Sequence, residues 1–184
     1  MTAGRRAARQ RAAALALRLT AGLAIAFAGP GCGAYSFNAS RLPSHIKTVA
    51  IPVFENITPE PGLEQEVTQA VTAEFVRDNT LRVVPESRAD SGLYGRVIRY
   101  QNRVFGYNAQ AQTEEYEVLI EVEVEFKDLV KRKTLWKEEA VLGRTTYFVV
   151  ATVGQAPKDE VTGRTEAIRN LASDLLNRTV RSWS

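Results

Sequence analysis

The most restrictive feature of this 184-residue chain is an alternation that runs from residue 115 to residue 126. Tyr116, Val118, Ile120, Val122, Val124 and Phe126 interleave with Glu115, Glu117, Leu119, Glu121, Glu123 and Glu125. Successive side chains of a strand point to opposite faces, so one face here is apolar and the other almost wholly acidic. Only a sheet covered on one side needs such a strand. Acids two residues apart on a strand face stand about 7 Å apart and do not converge on one cation. The row Glu117, Glu121, Glu123 and Glu125 therefore reads as a solvated or counter-charged surface. Arg96, Arg99, Lys133 and Lys137 on neighbouring strands are the expected counter-charges across the ladder.

Two segments can supply the cover. Leu63, Val67, Ala70, Val71 and Phe75 recur at spacings of three and four, with Glu64, Glu66, Glu74 and Arg77 between them, which predicts an amphipathic helix. Its early acids and late arginine suit the helix dipole. At the end of the chain, Val161, Ile168, Leu171, Ala172, Leu175, Leu176, Val180 and Trp183 line one side of a second helix, opposite Arg164, Glu166, Arg169, Asp174 and Arg178. The remaining extended segments are 48–54, a β-branched run in which Pro52 marks an edge or bulge, 81–84, 93–104, and 134–147, the hairpin partner of the acidic strand across a basic turn at 128–133. Residues 145–157 read as a loop. The order is β-α-β-β-β-β-α. The predicted fold over residues 48–184 is an α+β two-layer sandwich, with two helices on one face of a mostly antiparallel or mixed sheet of four to five strands.

The start of the chain has a different character. Arg5, Arg6, Arg9, Arg11 and Arg18 precede or enter an apolar run from Leu17 to Ala28, which ends at Gly29-Pro30-Gly31-Cys32-Gly33. A basic stretch, a short apolar core and small residues are the organisation of a signal peptide, and the uninterrupted core is far below the roughly 20 residues of a membrane span. Residues 1–31 are thus expected to be removed. The leader holds five of the 24 basic residues and none of the 21 acidic ones, leaving 19 against 21, or net −2, in residues 32–184. A nucleic-acid binder needs clustered cations to displace counterions, so nucleic acid is not an expected partner.

Cys32 is the only cysteine, which excludes an intramolecular disulfide. Its setting resembles a lipobox: Gly31 and Gly33 suit the pattern, and Gly29 and Pro30 depart from it. The resemblance implies diacylglycerol and an N-acyl chain on Cys32, with residues 32–47 a lipidated tether. Several acyl chains at about 0.8 kcal/mol per buried methylene would hold the chain permanently at a membrane. For enzymology the inventory is poor. The one histidine, His45, falls on the expected tether, and there is no Walker loop, dinucleotide fingerprint or His/Cys metal spacing. The chain is expected not to be an enzyme and to carry no cofactor beyond the lipid.

An ordered set of segments resembles the lipopolysaccharide-assembly lipoproteins of the LptE family. They are Gly31-Cys32-Gly33-Ala34-Tyr35, the entry from Leu42-Pro43-Ser44-His45-Ile46-Lys47 into Thr48-Val49-Ala50-Ile51-Pro52, Gln112-Thr113-Glu114-Glu115-Tyr116, and the hairpin residues Leu135-Trp136. The resemblance implies a periplasm-facing, lipid-anchored outer-membrane protein that plugs the LptD barrel, assists its assembly and helps deliver lipopolysaccharide to the cell surface. It also implies lipopolysaccharide contacts from a basic residue shortly before the Gln-Thr motif and another beside the loop into the last helix. Lys158 takes the second place. Ala109 takes the first, leaving Arg103 as a distant substitute, with Lys131, Arg132 and Lys133 on the hairpin turn as further candidate donors. The strand Val49-Ala50-Ile51-Pro52-Val53-Phe54-Glu55-Asn56 is also similar to that of other envelope lipoproteins, which act as peptidoglycan-synthase activators or secretion-channel components. A similar frame does not decide between these functions.

Overall fold

A computed structural model describes residues 42–110, 112–151 and 156–181. The leader, Cys32, most of the expected tether and Trp183 lie outside the described residues. The elements are β1 (Thr48–Ala50), β2 (Glu55–Asn56), α1 (Leu63–Asp78), β3 (Arg82–Val83), a 3-10 turn at Glu86–Arg88, β4 (Ser91–Tyr107), β5 (Thr113–Asp128), β6 (Lys133–Phe148) and α2 (Glu160–Leu176), which runs on into a π-turn at Asn177–Arg181. The two-layer α+β sandwich is therefore the observed fold, with one strand more than the five expected. The sheet is mixed. Its order is β3-β1-β4-β5-β6, with β2 paired to β4 beyond the end of β1. β1 is parallel to β3 and β4, whereas β4, β5 and β6 form an antiparallel meander.

The extra strand comes from the expected strand 48–54, which is cut short. Val49 lies opposite Ser91 and Ala50 opposite Gly92, but Pro52 has no amide to give to a ladder, and pairing with β4 resumes only at Glu55 opposite Arg96. The partner offset falls by one residue across this gap, the signature of a bulge. Three of the four residues between are partly buried or buried, with Phe54 in the core and Val53 exposed. The Phe54 amide donates to Thr68 Oγ1 on α1 at 3.0 Å, so the gap is closed by the helix.

The central alternation behaves as its pattern requires. Val118, Ile120, Val122, Val124 and Phe126 are buried beneath the helices, and Tyr116 is partly buried, stacked on Tyr147 with ring centres 5.8 Å apart. Helix α1 closes on Asn79, whose left-handed φ of 56° lets its amide bond the Phe75 carbonyl at 3.0 Å. Helix α2 is capped by Asp159, which accepts from the Thr162 amide at 2.8 Å. Val161, expected on the apolar stripe of α2, is 60% exposed; in the first turn of α2 it is Gly163, buried against Tyr147, that faces the sheet. Gly143 and Gly163 allow α2 to lie directly on β6. A Cβ on Gly143 would stand 2.5 Å from the Ala167 carbonyl oxygen, and one on Gly163 would stand 2.6 Å from the Tyr147 ring.

Two further expectations need correction. Residues 145–147, which the sequence reading gave both to the strand and to the following loop, belong to β6, which continues to Phe148 and is followed by a bond from the Val149 amide to the Glu114 carbonyl at 3.0 Å. The last residues of the expected tether are part of the fold. Ile46 is buried, Leu42 packs against the core, and the Ile46 amide closes a turn on Pro43.

Candidate functional site

Three surfaces carry the side chains singled out above: the open face of the sheet and its two ends. The open face is an ion-pair lattice set by register. Arg96 stands opposite Glu123, Arg99 opposite Glu121 and Arg103 opposite Glu117, and each pair is within salt-bridge distance. Lys137 reaches Glu123 from β6 at 2.9 Å, and Lys127 reaches Glu125 at 3.0 Å. The Lys137 ammonium holds the Glu123 carboxyl below its ordinary range, and the Thr134 hydroxyl does the same for Glu125 against the opposing effect of burial. The acidic row is thus counter-charged, by Arg96, Arg99 and Lys137 as expected and by Arg103 in addition. Lys133 takes no part in it.

Arg103 is the tightest of these pairs. Its Nε and Nη2 both donate to one oxygen of Glu117, at 2.8 and 2.6 Å, and Glu117 is buried beneath it. A carboxylate in that position depends on its partner. Arg103→Ala should therefore lower the unfolding free energy by about 1–2 kcal/mol in urea melts, and the double variant Arg103→Ala/Glu117→Gln should recover part of that loss. Equal stability of Arg103→Ala and the parent chain would contradict the structural role.

The first end of the sheet is where the chain enters. His45 Nε2 lies 2.8 Å from Asp128 Oδ2, and Asp128 is 2% exposed at the close of β5. Burial pushes the Asp128 pKa up, but the Lys131 amide and His45 outweigh it and hold the carboxyl below its ordinary 3.8. Next to it, Asp90 accepts from the amides of Lys47 and Thr48, each at 3.0 Å, and from the Thr48 hydroxyl at 2.8 Å. His45 is therefore a structural clasp between the entering segment and β5, where sequence alone placed it on a solvated tether. The turn 129–132 follows, with Arg132 in the left-handed region at φ 52°. Lys131, Arg132 and Lys133 are exposed, and none has a carboxylate partner among the described residues.

The opposite end holds Lys158. It precedes the cap of α2, donates its amide to the Phe148 carbonyl at 2.8 Å and pairs its ammonium with Glu166 at 2.7 Å. This end also holds exposed apolar side chains that the sequence reading did not single out, Phe105 and Tyr107 near the tip of β4 and Val149 and Val150 after β6, together with the exposed Val161 of α2. Their signal in the sequence was apolar and aromatic content continuing past the region that the helices cover. Each of the five is more than a third exposed. Since β5 has 16 residues, its ends are about 50 Å apart, so Lys158 and the 131–133 turn cannot serve one small ligand site. Of the five candidate lipopolysaccharide donors, the structure brings together only the three on the turn.

The family model LptE, described as lipopolysaccharide-assembly, matches residues 46–182. No curated protein matches. Among solved structures, protein XCC0632 from Xanthomonas campestris is 12% identical, with a TM-score of 0.52, covering 78% of this chain and 91% of that one. The PelC dodecamer from Paraburkholderia phytofirmans is 16% identical at a TM-score of 0.49 (74% and 89% covered), and the rare lipoprotein B from Shewanella oneidensis is 14% identical at 0.44 (70% and 92%). The first of these shows a shared fold.

Proposed function

The chain belongs to the LptE lipopolysaccharide-assembly family, and from that premise we propose that it is an outer-membrane lipoprotein, anchored through Cys32, that plugs an LptD-type barrel and assists lipopolysaccharide delivery. The observation that carries the proposal is the extent of the family match, which runs from the buried Ile46 through β6 to the end of α2. The apolar end formed by Phe105, Tyr107, Val149, Val150 and Val161 is a surface of the kind a protein partner covers. Lipopolysaccharide contact is secondary in this reading. The domain after the leader is net −2, its open sheet face is neutralised internally, and Lys158 is already paired.

The anchor and the partner are tested together. Growth with labelled palmitate should label the chain, and Cys32→Ser should abolish both the label and membrane retention; a labelled variant would refute the anchor. A pull-down from solubilised outer membrane should return a large barrel. Lys158→Glu should leave that association intact and weaken lipopolysaccharide binding only modestly, since exposed ion pairs are worth about 0–1 kcal/mol each. Recovery of a peptidoglycan synthase in place of a barrel would overturn the proposal.

A further inference from the structure

Beyond Val97, strand β4 loses its neighbour on the side away from β5. The last bond there runs from the Ile57 amide to the Val97 carbonyl at 3.1 Å, just after β2 ends. The chain then leaves through Thr58-Pro59-Glu60-Pro61 into α1, and neither proline has an amide with which to continue a ladder. β4 itself runs on to Tyr107, and its register with β5 is unbroken from Arg99 to Val104. Alternate amides and carbonyls of this stretch turn away from β5, and among the described residues no strand or side chain takes them up. A cavity of about 440 Å³ lies along it, lined by Tyr100, Gln101, Asn102 and Arg103 and walled by Glu60 and Glu160. Successive strand residues point to opposite faces, so a space touched by four in a row runs beside the backbone and not over a face. Its charge is unbalanced. Arg103 is committed to Glu117, and the Tyr100 hydroxyl fixes Glu160 with a bond of 2.6 Å, but neither Glu160 nor Glu60 has a cationic partner among the described residues.

From this groove we infer that the protein partner docks by strand addition: an extended segment of it, carrying a lysine or arginine, pairs with residues 99–104 and sets that cation between Glu60 and Glu160. Within the function proposed above the partner is the LptD-type barrel, and the inference rests on that reading. Main-chain bonds to a free strand give affinity whatever the sequence, and flanking side chains select the segment. Here the selecting groups are two carboxylates that the domain leaves unneutralised, at one margin of a sheet whose open face is neutralised pair by pair. Exposed apolar side chains extend the groove at both ends, Ile57 where β2 gives out and Phe105 and Tyr107 farther along β4, and give an amphipathic segment apolar neighbours on either side of its cation.

The test expresses the full chain in cells with a photo-crosslinking amino acid at Gln101 or at Val104, exposed positions whose side chains leave opposite faces of β4. Both should form an adduct with the barrel, and the two adducts should fall on one partner segment about three residues apart, as strand pairing requires. Glu60→Lys/Glu160→Lys should lower recovery of the barrel in the pull-down at least about tenfold, since like charges facing each other across an interface repel. Glu60→Gln/Glu160→Gln keeps the shape and an acceptor for the Tyr100 hydroxyl, and should lower recovery about two- to fivefold. Glu138→Lys/Glu139→Lys makes the same change in net charge on β6 and should leave recovery unchanged. Exchange of the partner's crosslinked lysine or arginine for glutamate should restore recovery with Glu60→Lys/Glu160→Lys. With the barrel recovered by the parent chain, full recovery by Glu60→Lys/Glu160→Lys, an adduct from one position only, or an adduct with a second copy of this chain would overturn the inference and leave the proposed function standing. A parent chain that recovers no barrel refutes that function, and the inference with it.

Discussion

Replacing Phe126 with alanine should cost about 3–5 kcal/mol of unfolding free energy, a large share of what a domain of this size possesses. The ring is fully buried at the end of β5 and lies 6.2 Å, centre to centre, from Trp136 on the neighbouring strand. Its removal loses the transfer free energy of an aromatic side chain and leaves a cavity in a layer pinned by helices on one side and a hydrogen-bonded ladder on the other. The control is three residues away on the opposite face. Glu123→Ala removes a carboxylate whose partners Arg96 and Lys137 are about half exposed, so it should cost less than about 1 kcal/mol. Urea denaturation of both variants measures the difference, and equal losses would mean that the faces of β5 are assigned the wrong way round.

The second large effect is expected at Gly143. Any side chain there meets the Ala167 carbonyl oxygen at 2.5 Å and the Leu171 Cβ at 2.6 Å, both part of α2 and neither able to swing aside. Gly143→Val must lift the helix from the sheet or bend the strand, and should cost about 3 kcal/mol, toward the upper end for overpacked sites. Gly106→Ala is the companion measurement. Its added methyl meets only the Glu115 side chain, at 3.3 Å or more, and should shift stability by less than about 0.5 kcal/mol. A tolerated Gly143→Val would show that α2 does not sit where the close approach puts it.

What could be read from the sequence follows from how local each cause is. The register of β5 was legible because strand alternation is a property of the segment itself, and the helices were legible from their apolar spacing for the same reason. Pro52 marked the break in β1, but where pairing resumes was not legible, since it depends on Thr68 of α1 being placed to take the Phe54 amide, a long-range fact. His45 was misplaced on a tether because its partner Asp128 is 83 residues away. Arg103 was set aside as a distant ligand donor, although alternation alone put it on the acidic face once β4 was paired with β5. The unpaired state of Lys131, Arg132 and Lys133 was invisible for a different reason. Composition counts charges, and only the fold shows that the carboxylates near residues 131–133 are already occupied.

The meander leaves β6 at the rim of the sheet, with 16 residues and no strand beyond it among the described residues. Such a rim is an open template on which a second polypeptide could polymerise. Both breaks in its register with β5, between Val122 and Val124 and between Phe126 and Lys127, insert the surplus residue on β6. They divide the rim into short lengths, and Lys137, Glu138 and Glu139 put charge where the first half would have to be copied. Only residues 141–148 form an uninterrupted run, and that run includes Gly143, whose close contact with α2 ties its backbone to the helix. A concentrated, crowded compartment therefore meets a rim on which filament growth has no long foothold, and protection against fibre formation is written into the same irregularities that make this strand hard to read.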